Sequence, residues 1–329
     1  MAREMLGVVL VMGLLLAMVP NTMQSRLTGA NLDRRGSAYI GLILSTAHDE
    51  QLLLDSGMFV PETSVKKAGR VFKVGTFKGV PTIYVIALAP MAHVSSTVQM
   101  MVDTFPIIGI IDYGNAASIS PSVKLADVAV LSEASFISAW TWEQYEGRSM
   151  EALNDLPSLK IGDYNVPEAG DNKLASLQFQ KISKYTPKGS NKKTFWYYID
   201  PEWLKIASQL KDITLESCIN GRLCTKDVPS VKFGVKGSSS DSYVQNEAYG
   251  KSLNKELGVS TVDRKSAATV STAVANGVKH IVFRGASNKP GTSSDNEIKA
   301  LTSKNLFKVV SEFVELLANE LPMLKYKYI

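Results

Sequence analysis

Three histidines, two cysteines and a lysine beside an arginine are the residues of this 329-residue chain whose chemistry stands out first. His48 and His93 fall in polar breaks between apolar runs, where an imidazole titrating near neutral pH could donate or accept a proton. Asp49 follows His48 directly, so a carboxylate and a base are chain neighbours. His280 opens an apolar run and is expected to be structural. Lys265 follows Arg264 at the start of a helical pattern. In a dry site its amine would have a lowered pKa, suited to a Schiff base or to holding an anion. At the surface it would be a solvated lysine whose charge opposes the helix dipole. Cys218 and Cys224 bracket Asn220-Gly221, a strong turn signal, and a disulfide across that hairpin is the expectation in an oxidising compartment.

Alternating apolar runs must position these groups. Residues 38–44 read as a buried first strand, followed by a helix over 46–54 with acidic residues in its first turn, and 107–114 as a strand buried on both faces. Strands are expected over 71–74, 80–88, 107–114, 128–132, 135–142, 230–235, 260–263 and 280–285, and helices over 94–104, 203–210, 265–276 and 302–321. Strands and helices that alternate in this way imply an α/β fold with a largely parallel or mixed sheet. The polar excursion from Gly147 to Lys193 reads as a surface insertion, not a separate domain.

Hydrophobic residues make up 45% of the chain and charged residues 20%, enough to bury a sizeable core and to exclude a disordered or low-complexity protein. The net charge is +5, from 36 Lys plus Arg against 31 Asp plus Glu, and it is not gathered into basic runs interleaved with aromatics. Nucleic acid is therefore excluded as a partner. Leu6 to Val19 is an apolar run of 14 residues, short of the roughly 20 that a spanning helix needs, so residues 1–25 read as a cleaved signal peptide. No later run is long enough to cross a membrane, which leaves 26–329 as the mature domain.

Six short motifs add a resemblance. Gly41-Leu42-Ile43 with an acidic residue eight positions after the glycine, Tyr113-Gly114-Asn115-Ala116-Ala117, Ala139-Trp140-Thr141-Trp142, Gly237-Ser238-Ser239, Ser260-Thr261-Val262-Asp263 and Val282-Phe283-Arg284-Gly285 occur in this order. Nearly the whole mature chain resembles plant bark storage and vegetative storage proteins, within the nucleoside phosphorylase and methylthioadenosine/adenosylhomocysteine nucleosidase superfamily. The resemblance implies a single α/β domain, its central mixed, twisted sheet flanked by helices, with a nucleoside pocket at the strand ends. It also implies a homo-oligomer, residence in the vacuole or outside the cell, and neither cofactor nor metal.

The superfamily's reaction, cleavage of an N-ribosidic bond, passes through a ribosyl cation. It needs a donor to the leaving base, a carboxylate on the ribose hydroxyls and a positioned nucleophile. By resemblance the water-positioning acid is Asp49, shorter by a methylene than the usual Glu. The ribose carboxylate falls at Lys265, and the acid that protonates the purine falls at Asn288. The loop that normally carries a glycine reads Ala87-Leu88-Ala89-Pro90-Met91-Ala92-His93 and has none. Gly114, Tyr243, Arg284 and Ser287 are the expected remnants of the binding frame, with Tyr243 stacking on a base. The inherited reaction is thus expected to be lost. The chain reads as a storage protein or as a repurposed small-molecule pocket, with His48, Asp49, His93 and Lys265 converging as a new acid/base set. A residual purine N-ribosyl hydrolase or phosphorylase is the alternative.

Overall fold

The computed structural model describes residues 38–142, 158–160, 176–189, 192–219, 223–292 and 295–320. The expected signal peptide lies outside them, as do most of the expected insertion and the Asn220-Gly221 turn. Residues from Ser37 onward form one compact unit. Its centre is a ten-stranded mixed sheet. The strands are β1 (Tyr39–Leu44), β2 (Phe59–Lys67), β3 (Arg70–Phe77), β4 (Val80–Ile86), β5 (Ile107–Ser118), β6 (Val128–Phe136), β7 (Trp196–Tyr198), β8 (Val231–Ser239), β9 (Val259–Asp263) and β10 (Lys279–Asn288). Six helices flank it: α1 (Ala47–Asp55), α2 (Met91–Thr104), α3 (Pro201–Ala207), α4 (Glu247–Leu257), α5 (Ser266–Asn276) and α6 (Asn296–Glu320).

Every residue of β1 is buried, as a strand needs when parallel neighbours, here β4 and β5, flank it. On the far side of β5 the pairing turns back on itself. β5 pairs parallel with β10, and β10 pairs antiparallel with β6. β6 runs parallel to β8, β8 runs parallel to β9, and β9 returns antiparallel to the end of β5. Five strands thus close a ring, and their ends meet around one space. The apolar stripe of α6, including Leu306, Val310, Phe313 and Leu317, is buried and packs on β10 and β5.

The long apolar runs fold as their patterns require, and three local differences have physical causes. The stretch 128–136 is one strand, while Trp140–Trp142 leaves the sheet to pair with Ser176–Phe179, which also pairs with Ser158–Lys160. β2 is an edge strand whose residues are mostly exposed, so it shows no apolar alternation by which to detect it. α4 buries only Gly250, Leu253 and Leu257, too few apolar positions to announce a helix. Cys218 and Cys224 face each other across a two-stranded hairpin and are disulfide-bonded. No helix among the described residues is long and apolar enough to cross a membrane.

One close approach sets the spacing of sheet and helix. Trp203 of α3 is fully buried, and a Cβ added to Gly109 of β5 would lie 2.2 Å from its ring. Gly109→Ala is therefore expected to cost about 1–3 kcal/mol through overpacking and to lower the urea midpoint. An unchanged midpoint would contradict this packing.

Candidate ligand site

A cavity of about 520 Å³ opens where the strands end. Ser45 and Thr46 line it after β1, Ala87 to Ala89 after β4, and Asn115 to Ala117 from the last part of β5. Val262 to Lys265 come from the end of β9, Ser287 and Asn288 from the end of β10, and Ser242 to Gln245 from the loop after β8. Lys299, in the first turn of α6, completes the wall. The register of β10 on β5 shifts between Ala286 and Asn288, an irregularity at Ser287 that alters the strand's pairing where it enters the cavity.

Four buried charges meet at the cavity floor, Asp263 and Lys265 lining it and Asp112 and Arg284 lying beneath. Asp112 sits inside the apolar β5 and is completely buried, and so is Arg284 of β10. Arg284 Nη2 lies 2.9 Å from Asp112 Oδ2, and its Nε donates to Asp263 Oδ2 at 2.5 Å. Lys265 Nζ lies 2.9 Å from Asp112 Oδ1 and donates to the carbonyl oxygens of Ile43 (3.0 Å) and Tyr113 (3.1 Å). Two anions and two cations therefore balance in a dry interior, the condition under which buried charge is tolerated. Burial pushes the Lys265 amine below its ordinary value, and the charge of Asp112 only partly offsets that.

Asp263 also caps a helix. Its Oδ1 accepts from the backbone N–H groups of Lys265 (2.8 Å) and Ser266 (2.9 Å) and from Ser239 Oγ (2.6 Å), and its Oδ2 accepts from Ser266 Oγ. Burial alone would raise its pKa. Arg284, the two serine hydroxyls and the Lys265 N–H overcome burial and hold the group at about 2, against an ordinary 3.8.

The residues singled out in the sequence divide around this frame. Lys265, Asn288, Ser287 and Tyr243 line the cavity, while His48, Asp49, His93, Gly114 and Arg284 do not. The four expected acid/base groups therefore do not converge on one volume. His48 and His93 are exposed on α1 and α2. Asp49, one residue and about 100° of helical turn from His48, is buried, and its carboxylate accepts from Thr46 Oγ1 (2.9 Å) and Ser45 N–H (3.2 Å). Thr46 Oγ1 in turn accepts from the Asp49 N–H, so this acid closes the N-terminus of α1. Gly114 makes room: a Cβ there would lie 1.6 Å from Ser45 Oγ, which donates to Tyr113 O, and 3.7 Å from Lys265 Cε. Arg284 is structural in geometry: it lies below the floor, in ion pairs with Asp112 and Asp263, and its Nη1 donates to Phe283 O. His280, too, is buried, its ring nitrogens 2.9 Å from Val278 O and 3.0 Å from Tyr198 O.

Tyr243 is 70% exposed, and its ring covers the Arg264 guanidinium at 4.4 Å from the centroid. The glycine-free stretch after β4 leads into α2, whose first N–H, on Met91, donates to Asp241 Oδ1 at 2.8 Å. A carboxylate of the chain itself thus occupies that helix end. Asp112 and Lys299 escaped the sequence reading, and Arg264 entered it only as the neighbour of Lys265. The detectable sign for Asp112 was a lone acid inside an apolar strand, which requires a buried partner. Among the described residues no group of three or more His, Cys, Asp or Glu is placed to hold a metal.

A closed five-strand ring with a cavity at the strand ends is the architecture of nucleoside-cleaving α/β proteins, and comparison with known proteins bears this out. Residues 39–315 match the Phosphorylase superfamily, to which the chain belongs. It is 34% identical over 281 residues to Bark storage protein A of Populus deltoides, covering 84% of this chain and 88% of that protein, and Bark storage protein B of the same species matches equally. Among solved structures, futalosine hydrolase of Helicobacter pylori superposes with a TM-score of 0.57 at 16% identity, over 86% of this chain and 98% of that one. A 5′-methylthioadenosine/S-adenosylhomocysteine nucleosidase from Colwellia psychrerythraea, solved with adenine, gives 0.58 at 15% identity, over 85% and 96%. At those identities the likeness is one of fold.

The depressed pKa of Asp263 has a sign that can be tested. Its stabilising contribution is complete above the unfolded value near 4 and is lost as pH falls toward about 2. The difference is worth roughly 2 kcal/mol. Asp263→Asn is expected to lower stability at pH 7 and to flatten the decline of the urea midpoint between about pH 4 and pH 2. An acid limb as steep as that of the parent protein would contradict this role for Asp263.

Proposed function

We propose that this chain is a secreted, storage-type member of its superfamily whose cavity binds a small molecule without cleaving an N-ribosidic bond. One observation carries the reading. Lys265 Nζ donates to Ile43 O and Tyr113 O and lies 2.9 Å from Asp112 Oδ1, at the position where the resemblance puts the ribose carboxylate. A cation held there repels the ribosyl cation that the reaction must form. Among the described residues the cavity's single carboxylate is Asp263, fixed as an anion by Arg284 and turned to the start of α5. Asn288 offers an amide, which can donate a hydrogen bond but cannot transfer a proton. No histidine lines the space. The similarity to the two bark storage proteins supports the storage reading. The apolar run at Leu6 to Val19 and the Cys218–Cys224 disulfide support passage through the secretory pathway.

Chromatographic assay of free base tests this. With 5′-methylthioadenosine, or with inosine and phosphate, release of adenine or hypoxanthine is expected to stay far below the ordinary enzyme rate of about 1 per second. Release near that rate would overturn the proposal. Asn288→Asp alone is expected to restore nothing. Lys265→Glu would set a carboxylate against Asp112, so any recovered cleavage is expected only when Asp112→Asn accompanies both changes.

A further inference from the structure

Resting on the reading of this cavity as a small-molecule site, we infer that its ligand is an anion: a ring-bearing molecule of nucleoside size that carries a phosphate or carboxylate group, held by Arg264 and Lys299. The charges lining the cavity give the reason. Four ionised side chains reach it: Asp263, Arg264, Lys265 and Lys299. Asp263 is neutralised by Arg284 and Lys265 by Asp112, both from below the floor. Arg264 and Lys299 form no ion pair among the described residues; a further buried acid, Asp49, lies behind Ser45 and Thr46 and is bonded to both, so the two lining side chains without an ion-pair partner are both cations. The acid of the adjoining loop, Asp241, is directed to the Met91 N–H and does not line the cavity.

The two cations are also placed for the task. Arg264 Nε is buried without a hydrogen-bond partner, and the guanidinium lies against the face of Tyr243, a contact that orients its fork while most of the tyrosine stays exposed at the cavity mouth. Lys299 stands one turn before Ser303 on α6, and the buried Ser303 Oγ accepts from Asn115 Nδ2, which ties Asn115 to the helix that carries Lys299. Ser45, Thr46, Asn115 and Gln245 suit the hydroxyls of such a ligand, and Leu88, Ala116 and Val244 suit its ring. A neutral nucleoside would leave both cations without a counter-charge.

Calorimetric titration of the full mature chain with adenosine 5′-monophosphate, adenosine and inorganic phosphate decides the matter. The monophosphate is expected to bind about tenfold or more tightly than adenosine at low salt, and the gap is expected to narrow as ionic strength rises. Arg264→Gln and Lys299→Gln should each weaken the monophosphate about threefold to tenfold and leave adenosine within about twofold. Inorganic phosphate alone should bind more weakly than the monophosphate, because it lacks the ring. Equal affinity for adenosine and its monophosphate, or variants that leave the monophosphate unaffected, would overturn the anion assignment while the cavity stood as a binding site. Failure of all three probes to bind would overturn the cavity's role as well as the assignment.

Discussion

Asp112 is the point on which the interior depends. It is a carboxylate in the middle of an apolar strand, with no access to water, and it persists only because cations from two other segments meet it there. Arg284 arrives from the neighbouring strand and Lys265 from the junction of β9 with α5. Arg284 then reaches on to Asp263, which caps α5. One set of charges therefore joins β5, β9, β10 and the start of a helix at the place where the strand ring opens into the cavity. By general experience such a cluster adds little net stability over an apolar core, yet removal of one member leaves a buried charge uncompensated, at a cost of about 3–5 kcal/mol.

The cluster also fixes what the cavity can do. A lysine at the floor would be an available nucleophile or acid if its amine were free, but here its donors are spent on the frame. The space above is lined by Ser45, Thr46, Asn115, an exposed tyrosine and two cations without ion-pair partners among the described residues. Likeness of fold therefore does not by itself fix the chemistry of the site. A fold shared with a nucleosidase and a futalosine hydrolase is compatible with a site of different character.

How much of this was legible in the sequence depended on whether the signal was periodic or directional. β1, β5, β10 and α6 are long apolar patterns, and each stands close to where its residues predict. β2, an exposed edge, and α4, with three buried positions, carry too little apolar signal to be read. Lys265 and Asn288 were placed at the cavity by resemblance and lie there. His48 and His93 sit on helices that begin near the cavity, but the rotation of a helix about its own axis decides which side chain turns inward, and for α1 that is Asp49. Asp112 was in plain view as a charge within Ile107-Ile108-Gly109-Ile110-Ile111-Asp112, and only its partners give it meaning.

The most direct test of the account is a double-mutant cycle between Asp112 and Lys265, with Asp112→Asn, Lys265→Met and the double variant compared by urea unfolding at pH 7. If the two charges compensate one another, each single change leaves its partner exposed to an uncancelled field. The double variant should then cost less than the sum of the singles, by about 1–3 kcal/mol. Additivity within about 0.5 kcal/mol would mean that Lys265 and Asp112 are energetically independent. The lysine would not then be held by its frame, and the account of the cavity floor would fail.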